Sequence, residues 1–378
     1  MTVYFDNAAT TRVRPEAAEI MTRLMCTDYG NPSSTHALGR AAAGELNAAR
    51  KKVAAALGCG EGEVFFTSGG TEADNWTLFG GAYHMRHRGK HIITSAAEHD
   101  AVRKSADRLR EQGYEVTLLR PDGNGRIPTE AVEDALREDT VLVSLMLVNN
   151  ETGAVTPIRE IAEMLRRRGS GTLLHTDAVQ GFLKVPFSAR TLGADLISLS
   201  GHKIHAPKGV GALYVKSGLK LRPFHVGGAQ ERGLRAGTEP LPAIAAFGEC
   251  ARLGSEELEE TASSMRRVRD RISERLRDAL PEVRFIGAGD APHILSLSLP
   301  GYKSEVLMNL LDSEGICVSK SSACKRGARS HVLEAMGLPN PVIDGAIRVS
   351  FSRWSTVEEA DYFADRLIAA AGRLYKTL

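Results

Sequence analysis

A chain of 378 residues with 48 Lys and Arg against 46 Asp and Glu carries a formal net charge of +2. That balance gives no electrostatic pull toward nucleic acid or a membrane surface. The 43% hydrophobic and 25% charged content is ordinary globular usage, enough for a large core and for roughly two or three domains, while five cysteines in so long a chain exclude a disulfide framework.

The amino terminus, Met1-Thr2-Val3-Tyr4-Phe5-Asp6, lacks the basic start and apolar stretch of a secretory signal. The most apolar run, 141–148, is too short to span a bilayer. A cytoplasmic protein with no membrane segment is expected. In chain order, short apolar runs at 64–67, 91–94, 116–119, 141–148, 173–175 and 196–199 read as strands. Helical patterns at 71–84, 101–112, 129–137 and 158–168 lie between them. The alternation predicts an α/β fold with a mostly parallel sheet and helices on both faces. Such sheets bind ligands beyond the carboxyl ends of their strands.

The last third reads as a smaller α+β domain. A charge-rich helix is expected over 256–280, strands over 293–299, 316–319 and 347–350, and a helix over 304–313. A final helix is expected to start at Ser355, with Glu358 completing a capping box. The stretch 320–329 is polar and basic and reads as an exposed loop. No internal repeat or low-complexity tract is evident.

Several residues fall just past strand ends. Thr67-Ser68-Gly69-Gly70-Thr71-Glu72 joins a strand to a helix. It is either a plain tight turn or a phosphate cradle in which glycines let backbone N–H groups approach an anion. The lysine and Ser/Thr of a Walker loop are absent. His99 follows the strand at 91–94 and is either structural or placed to stack on a ring and move protons. Asn150, in Asn149-Asn150-Glu151-Thr152-Gly153, is either a turn residue or a hydrogen-bond partner for a ring hydroxyl.

Asp177, with Gln180 three residues on, is either a helix cap or a carboxylate for a protonated pyridine nitrogen. Lys203, in Ser200-Gly201-His202-Lys203, is either a solvated surface lysine or a Schiff-base amine. The joint occurrence of these groups in strand order favours the chemical readings. No metal site is indicated.

Cys26, Cys59, Cys250 and Cys317 have apolar or helical neighbours and are expected to pack as small buried hydrophobes. Cys324 differs. It sits in Ser321-Ser322-Ala323-Cys324-Lys325-Arg326-Gly327-Ala328-Arg329, where nearby cations favour the thiolate. On these residues alone it is either an incidental exposed thiol or a nucleophile.

These motifs, with Asp6-Asn7-Ala8-Ala9-Thr10-Thr11, Gly30-Asn31-Pro32-Ser33-Ser34-Thr35-His36, His175-Thr176-Asp177-Ala178-Val179-Gln180 and Arg235-Ala236-Gly237-Thr238, resemble the cysteine desulfurases of the class V aminotransferase superfamily over almost the whole chain. The resemblance implies the fold-type-I architecture of pyridoxal-phosphate enzymes. Its large domain, with a seven-stranded type of sheet, would span 15–250, and a small α+β domain would comprise 1–14 and 251–378.

It implies pyridoxal 5'-phosphate carried on Lys203. Asp177 would pair with the ring nitrogen, His99 would stack on the ring, and Asn150 and Gln180 would lie near its hydroxyl. Gly70, Thr71, Ser200 and His202 would hold the phosphate, and Thr238 would reach the partner's phosphate in a homodimer. Asn31 and Arg348 would bind the carboxylate of L-cysteine, for which a bidentate guanidinium is suited. Cys324 would take the sulfur as a persulfide and pass it to an iron–sulfur scaffold or a tRNA-thiolation enzyme, with no direct nucleic-acid contact.

Selenocysteine lyase or aminotransferase activity on the same fold is the nearest alternative, and a non-catalytic sulfur-transfer scaffold is another. Two departures are visible: Ser321 stands where family members usually have glycine, and the segment from Cys324 to Ser330-His331-Val332-Leu333 is shorter and more basic.

Overall fold

Residues 2–320 and 329–374 are described by the structure, a computed structural model. In the amino-terminal part the chain runs β1 (Val3–Tyr4), α1 (Pro15–Cys26), α2 (Ala37–Leu57), β2 (Val64–Thr67), α3 (Gly70–Met85), β3 (His91–Ser95), α4 (Asp100–Glu111), β4 (Glu115–Leu119), α5 (Thr129–Ala135) and β5 (Thr140–Ser144). It continues through α6 (Ile158–Arg167), β6 (Leu173–Asp177), α7 (Ala189–Leu192), β7 (Leu196–Ser200), β8 (Gly211–Val215) and α8 (Leu241–Glu256). The remainder is α9 (Leu258–Ala279), β9 (Arg284–Ile286), β10 (Ile294–Ser298), α10 (Ser304–Ser313), β11 (Ile316–Cys317), β12 (Ser319–Lys320), α11 (His331–Ala335), α12 (Asn340–Asp344), β13 (Ala346–Ser350) and α13 (Val357–Arg373).

The main sheet has seven strands in the order β2-β8-β7-β6-β5-β3-β4. Strands β7, β6, β5, β3 and β4 are parallel. β8 runs against both β2 and β7, so the expected mostly parallel sheet carries one reversed strand. β3, β5, β6 and β7 are buried at every position. Burial on both faces is why they read as continuous apolar runs rather than alternating ones. The covering helices show the complementary stripe: in α6, Ile158, Ile161, Ala162 and Leu165 are buried at helical spacing.

The sequence reading contained no helices at α1, α2 or α8. The buried face of α2 mixes the small Gly39, Ala42, Ala49 and Ala54 with Leu46, Val53 and Leu57, so its apolar contrast is low. It packs closely on α8, where a Cβ on Gly248 would lie 2.7 Å from the Ala49 Cα.

A second core is built from Val3 and Phe5, α9, α10, α13 and a four-stranded sheet, β12-β13-β10-β9. Phe5 meets Phe351 edge-on at 5.2 Å between ring centroids. Here several expectations are corrected. The helix expected over 256–280 divides at Glu257, whose carboxylate receives Arg14 and Arg353. The strand expected over 316–319 splits between two sheets, because β11 pairs in parallel with β1 while β12 pairs with β13.

The capping box falls one residue later than expected, on Thr356 and Glu359. Ser355 instead accepts a hydrogen bond from the Ser352 N–H at 3.0 Å. Cys250 is buried, as expected, but Cys59 and Cys317 are only half-buried and Cys26 is exposed near the end of α1. Among the described residues no helix is long and apolar enough to cross a membrane.

Candidate active site

The carboxyl ends of β2, β3, β5, β6 and β7 converge on a cavity of ≈ 530 Å³. The strand expected over 141–148 ends as regular sheet at Ser144, but its backbone continues beside β6 through Leu145 N–H to His175 O (3.1 Å) and Leu147 N–H to Asp177 O (2.9 Å). That extension delivers Asn150 and Glu151 to the cavity wall.

At the end of β2 the turn is built for close approach. Gly69 has φ 152°, a conformation reserved for glycine, and caps α3 without any side chain. A Cβ on Gly70 would lie 2.6 Å from Val179 Cγ2. The first N–H groups of α3 therefore face the cavity with no capping oxygen, where the helix dipole favours an anion. Gly70, Thr71, Ser200 and His202 all line this end. Burial, with Lys203, Lys208 and His99 nearby, pushes His202 down to about 4, so its ring is neutral, and its Nδ1 lies 3.2 Å from Thr10 Oγ1.

His99 caps α4: its Nδ1 accepts the Ala101 N–H at 3.1 Å. Gln180 donates through Nε2 to Ala8 O at 2.9 Å. Lys203 Nζ donates to the carbonyl oxygens of Ala8 and Ala9. Arg348 is 2% exposed, yet it reaches the cavity wall, with Nη1 donating to Asn150 O at 2.8 Å and Nη2 to Asp6 Oδ1 at 3.0 Å.

Asp177, at the end of β6, accepts the Val179 N–H at 2.8 Å. Burial raises its pKa, while His99, that N–H and Lys203 pull it back. One helical turn into α3, Asp74 is also buried beside the cavity, and burial plus repulsion from Asp177 holds it well above the usual carboxylate range. Its Oδ1 has no hydrogen-bond partner. Burial raises both carboxyls, and Lys203 and the Val179 N–H favour the ionised form of Asp177.

Gly70, Thr71, His99, Asn150, Asp177, Gln180, Ser200, His202, Lys203 and Arg348 thus share one cavity. Asn31 and Thr238 do not line it; both are exposed, and the Asn31 side chain accepts the Ser33 N–H. Cys324 lies outside the described residues. Asp74, Glu98 and Glu151, with Asp100, Arg103, Arg329, His331 and Glu334, also line the cavity and were not expected from the sequence. The first three each stand within a few residues of a motif, but the signal that matters, burial of a carboxyl, comes from distant strands.

This donor set fits pyridoxal phosphate: an uncapped helix end that a Cβ would fill, a buried carboxyl group able to face a pyridinium, an imidazole and an amine. The aminotransferase class-V family matches residues 3–363. The cysteine desulfurase IscS of Methanosarcina thermophila is 43% identical over 95% of this chain and 89% of its own length. A cysteine desulfurase of Trichormus azollae is 41% identical over 95% and 90%.

Among solved structures, a NifS-like protein superposes with a TM-score of 0.94 at 38% identity, covering 99% of this chain and 100% of that one. SspA in complex with cysteine gives 0.81 at 31%, covering 94% and 100%. A cavity with this donor set, in a chain that aligns end to end with such relatives, places the protein in the class-V aminotransferase family, among its pyridoxal-phosphate-dependent cysteine desulfurases.

Proposed function

We propose that the protein takes sulfur from L-cysteine, releases alanine and holds the sulfur as a persulfide on Cys324. The observation that carries this reading is the convergence of Lys203, Asp177, Arg348 and the open end of α3 on one cavity. The match to a relative solved with cysteine supports the substrate. Pyridoxal phosphate, when bound, supplies an electron sink for charge developing at the substrate α-carbon.

The chain's own groups do the rest. Arg348 grips the substrate carboxylate, a task for which its fork of donors is suited. Asn31 belongs to this task in our reading, brought in when substrate binds. The Lys203 amine removes the α-proton. Asp177 would pair with the ring nitrogen, and the uncapped N–H groups at Gly70 and Thr71, with Ser200 and His202, would hold the phosphate. His99 would stack on the ring and handle the proton at the substrate thiol, and Asn150 and Gln180 would serve the ring's hydroxyl side.

The Cys324 thiolate then attacks the substrate sulfur. A sulfur–sulfur bond forms, the substrate Cβ–S bond breaks, and its electron pair stays on the carbon skeleton, which is protonated and leaves as alanine. Thr238 is exposed, which suits a residue that serves the partner's phosphate in a homodimer. The chain divides, in this reading, into a cofactor lobe over 15–250 and a second lobe of 1–14 with 251–378. The described cysteines are all free, which suits the reducing cytoplasm. The persulfide passes to an acceptor protein of iron–sulfur assembly or tRNA thiolation.

The test is mass spectrometry of the intact protein and its peptides after exposure to cysteine. One added sulfur on the Cys324 peptide, with alanine formed in the absence of any keto acid, is expected. A Cys324→Ser protein that still accumulates persulfide at the wild-type rate overturns the assignment.

A further inference from the structure

Glu151 is 3% exposed in the cavity wall, on the backbone that extends β5. Its carboxylate is bound by the hydroxyl of Ser330, a residue 179 positions away in the sequence. Ser330 is itself 3% exposed and caps α11, accepting the Leu333 N–H at 3.1 Å. Beside it the His331 ring lies 3.1 Å from Glu98 O at the wall, while Arg329, which also lines the cavity, pairs with Asp344 of α12 at 2.8 Å. On the other side of residues 321–328, Ser319 pairs with Arg348 and Lys320 with Ile347.

Both flanks of that segment are therefore fixed to elements of the cavity wall, and the Ser330–Glu151 bond is the buried one. A buried carboxyl is costly unless it is paired. Burial pushes Glu151 up to about 7, and Ser330, Arg348 and Arg103 pull it down. A carboxyl kept in such a place across two lobes is doing a positional job that an apolar contact could not do with the same directionality.

We propose that Glu151 is a positioning residue for sulfur transfer: through Ser330 it fixes, at the cavity wall, the point to which the segment bearing Cys324 returns. This rests on the reading of Cys324 as the sulfur acceptor, which lies six residues before Ser330 in the sequence. In this role Glu151 acts through Ser330. Its effect falls on the arrival of sulfur at Cys324, not on the binding of cysteine. The neighbouring Arg348 loses a nearby acid when Glu151 is truncated, so affinity for the substrate carboxylate holds or rises.

The experiment compares the holoenzyme with Glu151→Ala, which removes the acceptor but keeps the α11 cap, and with Glu151→Gln and Ser330→Thr, which keep the bond. Two quantities are read: the cysteine-dependent change in cofactor absorbance, and the rate at which mass spectrometry finds sulfur on Cys324. Glu151→Ala is expected to bind cysteine with unchanged or higher affinity and to lose about tenfold to 100-fold in sulfur arrival, the scale of a misplacement near 1 Å. The two conservative variants are expected to recover most of that loss.

Wild-type sulfur arrival in Glu151→Ala overturns the proposal, and so does an equal loss of cysteine binding, which would mark a collapsed wall. Wild-type protein that gathers no sulfur on Cys324 overturns the underlying reading instead, and it is seen before any variant is made.

Discussion

Lys203 Nζ lies 2.6 Å from the carbonyl oxygen of Ala8. The segment carrying that carbonyl is anchored elsewhere: Ala8 N–H donates to Ser350 Oγ at 2.9 Å and Asn7 Nδ2 to Ser350 O at 3.1 Å. The amine at the end of β7 is thus held by a strand end of the second core, β13. Lys203→Ala is expected to fold with a melting temperature near that of wild type, because no apolar packing is lost. It is expected to lose the visible band of the bound cofactor and about 10²–10⁴-fold in alanine formation. Lys203→Arg is not expected to rescue it, since a guanidinium stays protonated. Absorbance and alanine assays check both.

Gly70→Ala addresses the phosphate cradle. The new Cβ would meet Val179 Cγ2 at 2.6 Å, and either the valine or the helix end must move. The variant is expected to bind pyridoxal phosphate about tenfold more weakly, or about 1.4 kcal/mol, while an alanine inside a helix offsets part of the stability cost. Fluorescence titration of the apoprotein with pyridoxal phosphate, beside thermal melting, measures the two effects separately. Unchanged affinity would show that the α3 end does not hold the phosphate.

Glu98 supplies a prediction for pH. It is buried, its Oε1 accepts the Ser95 hydroxyl at 2.6 Å, and its Oε2 has no hydrogen-bond partner. Burial pushes it from 4.5 up to about 8, partly offset by Ser95 and the Met146 backbone and reinforced by Asp177. A carboxyl raised in the folded state binds its proton more tightly there than in the unfolded chain. The stability it contributes is full below pH 4.5 and is lost as pH climbs through about 8. Asp74 and Glu151 act in the same direction.

Glu98→Gln keeps the shape and removes the titration. The apoprotein variant is expected to lose less melting temperature than wild type between pH 5 and pH 8, measured by calorimetry at constant ionic strength. Parallel curves for the two proteins would show that Glu98 is ionised throughout.

The strand–helix alternation from β2 to β7 and the motif residues at the strand ends were legible in the sequence because they are local, whereas α1, α2, α8 and β8 were not. A run such as that in β7, followed at once by His202 and Lys203, announces both a buried strand and the residues at its end. The same holds for β6 with Asp177 and for the glycine turn before α3. Tertiary structure decided what depends on distant neighbours. It reversed β8 between β2 and β7, and it split the 316–319 run between two sheets.

It also packed the weakly patterned face of α2 onto α8, and it raised the Asp74 carboxyl well above the usual range by burying it near Asp177. Hydrophobic periodicity and turn chemistry are written along a few consecutive residues. Strand direction, desolvation and the charge of a carboxyl are set by groups that meet only when the chain has closed on itself.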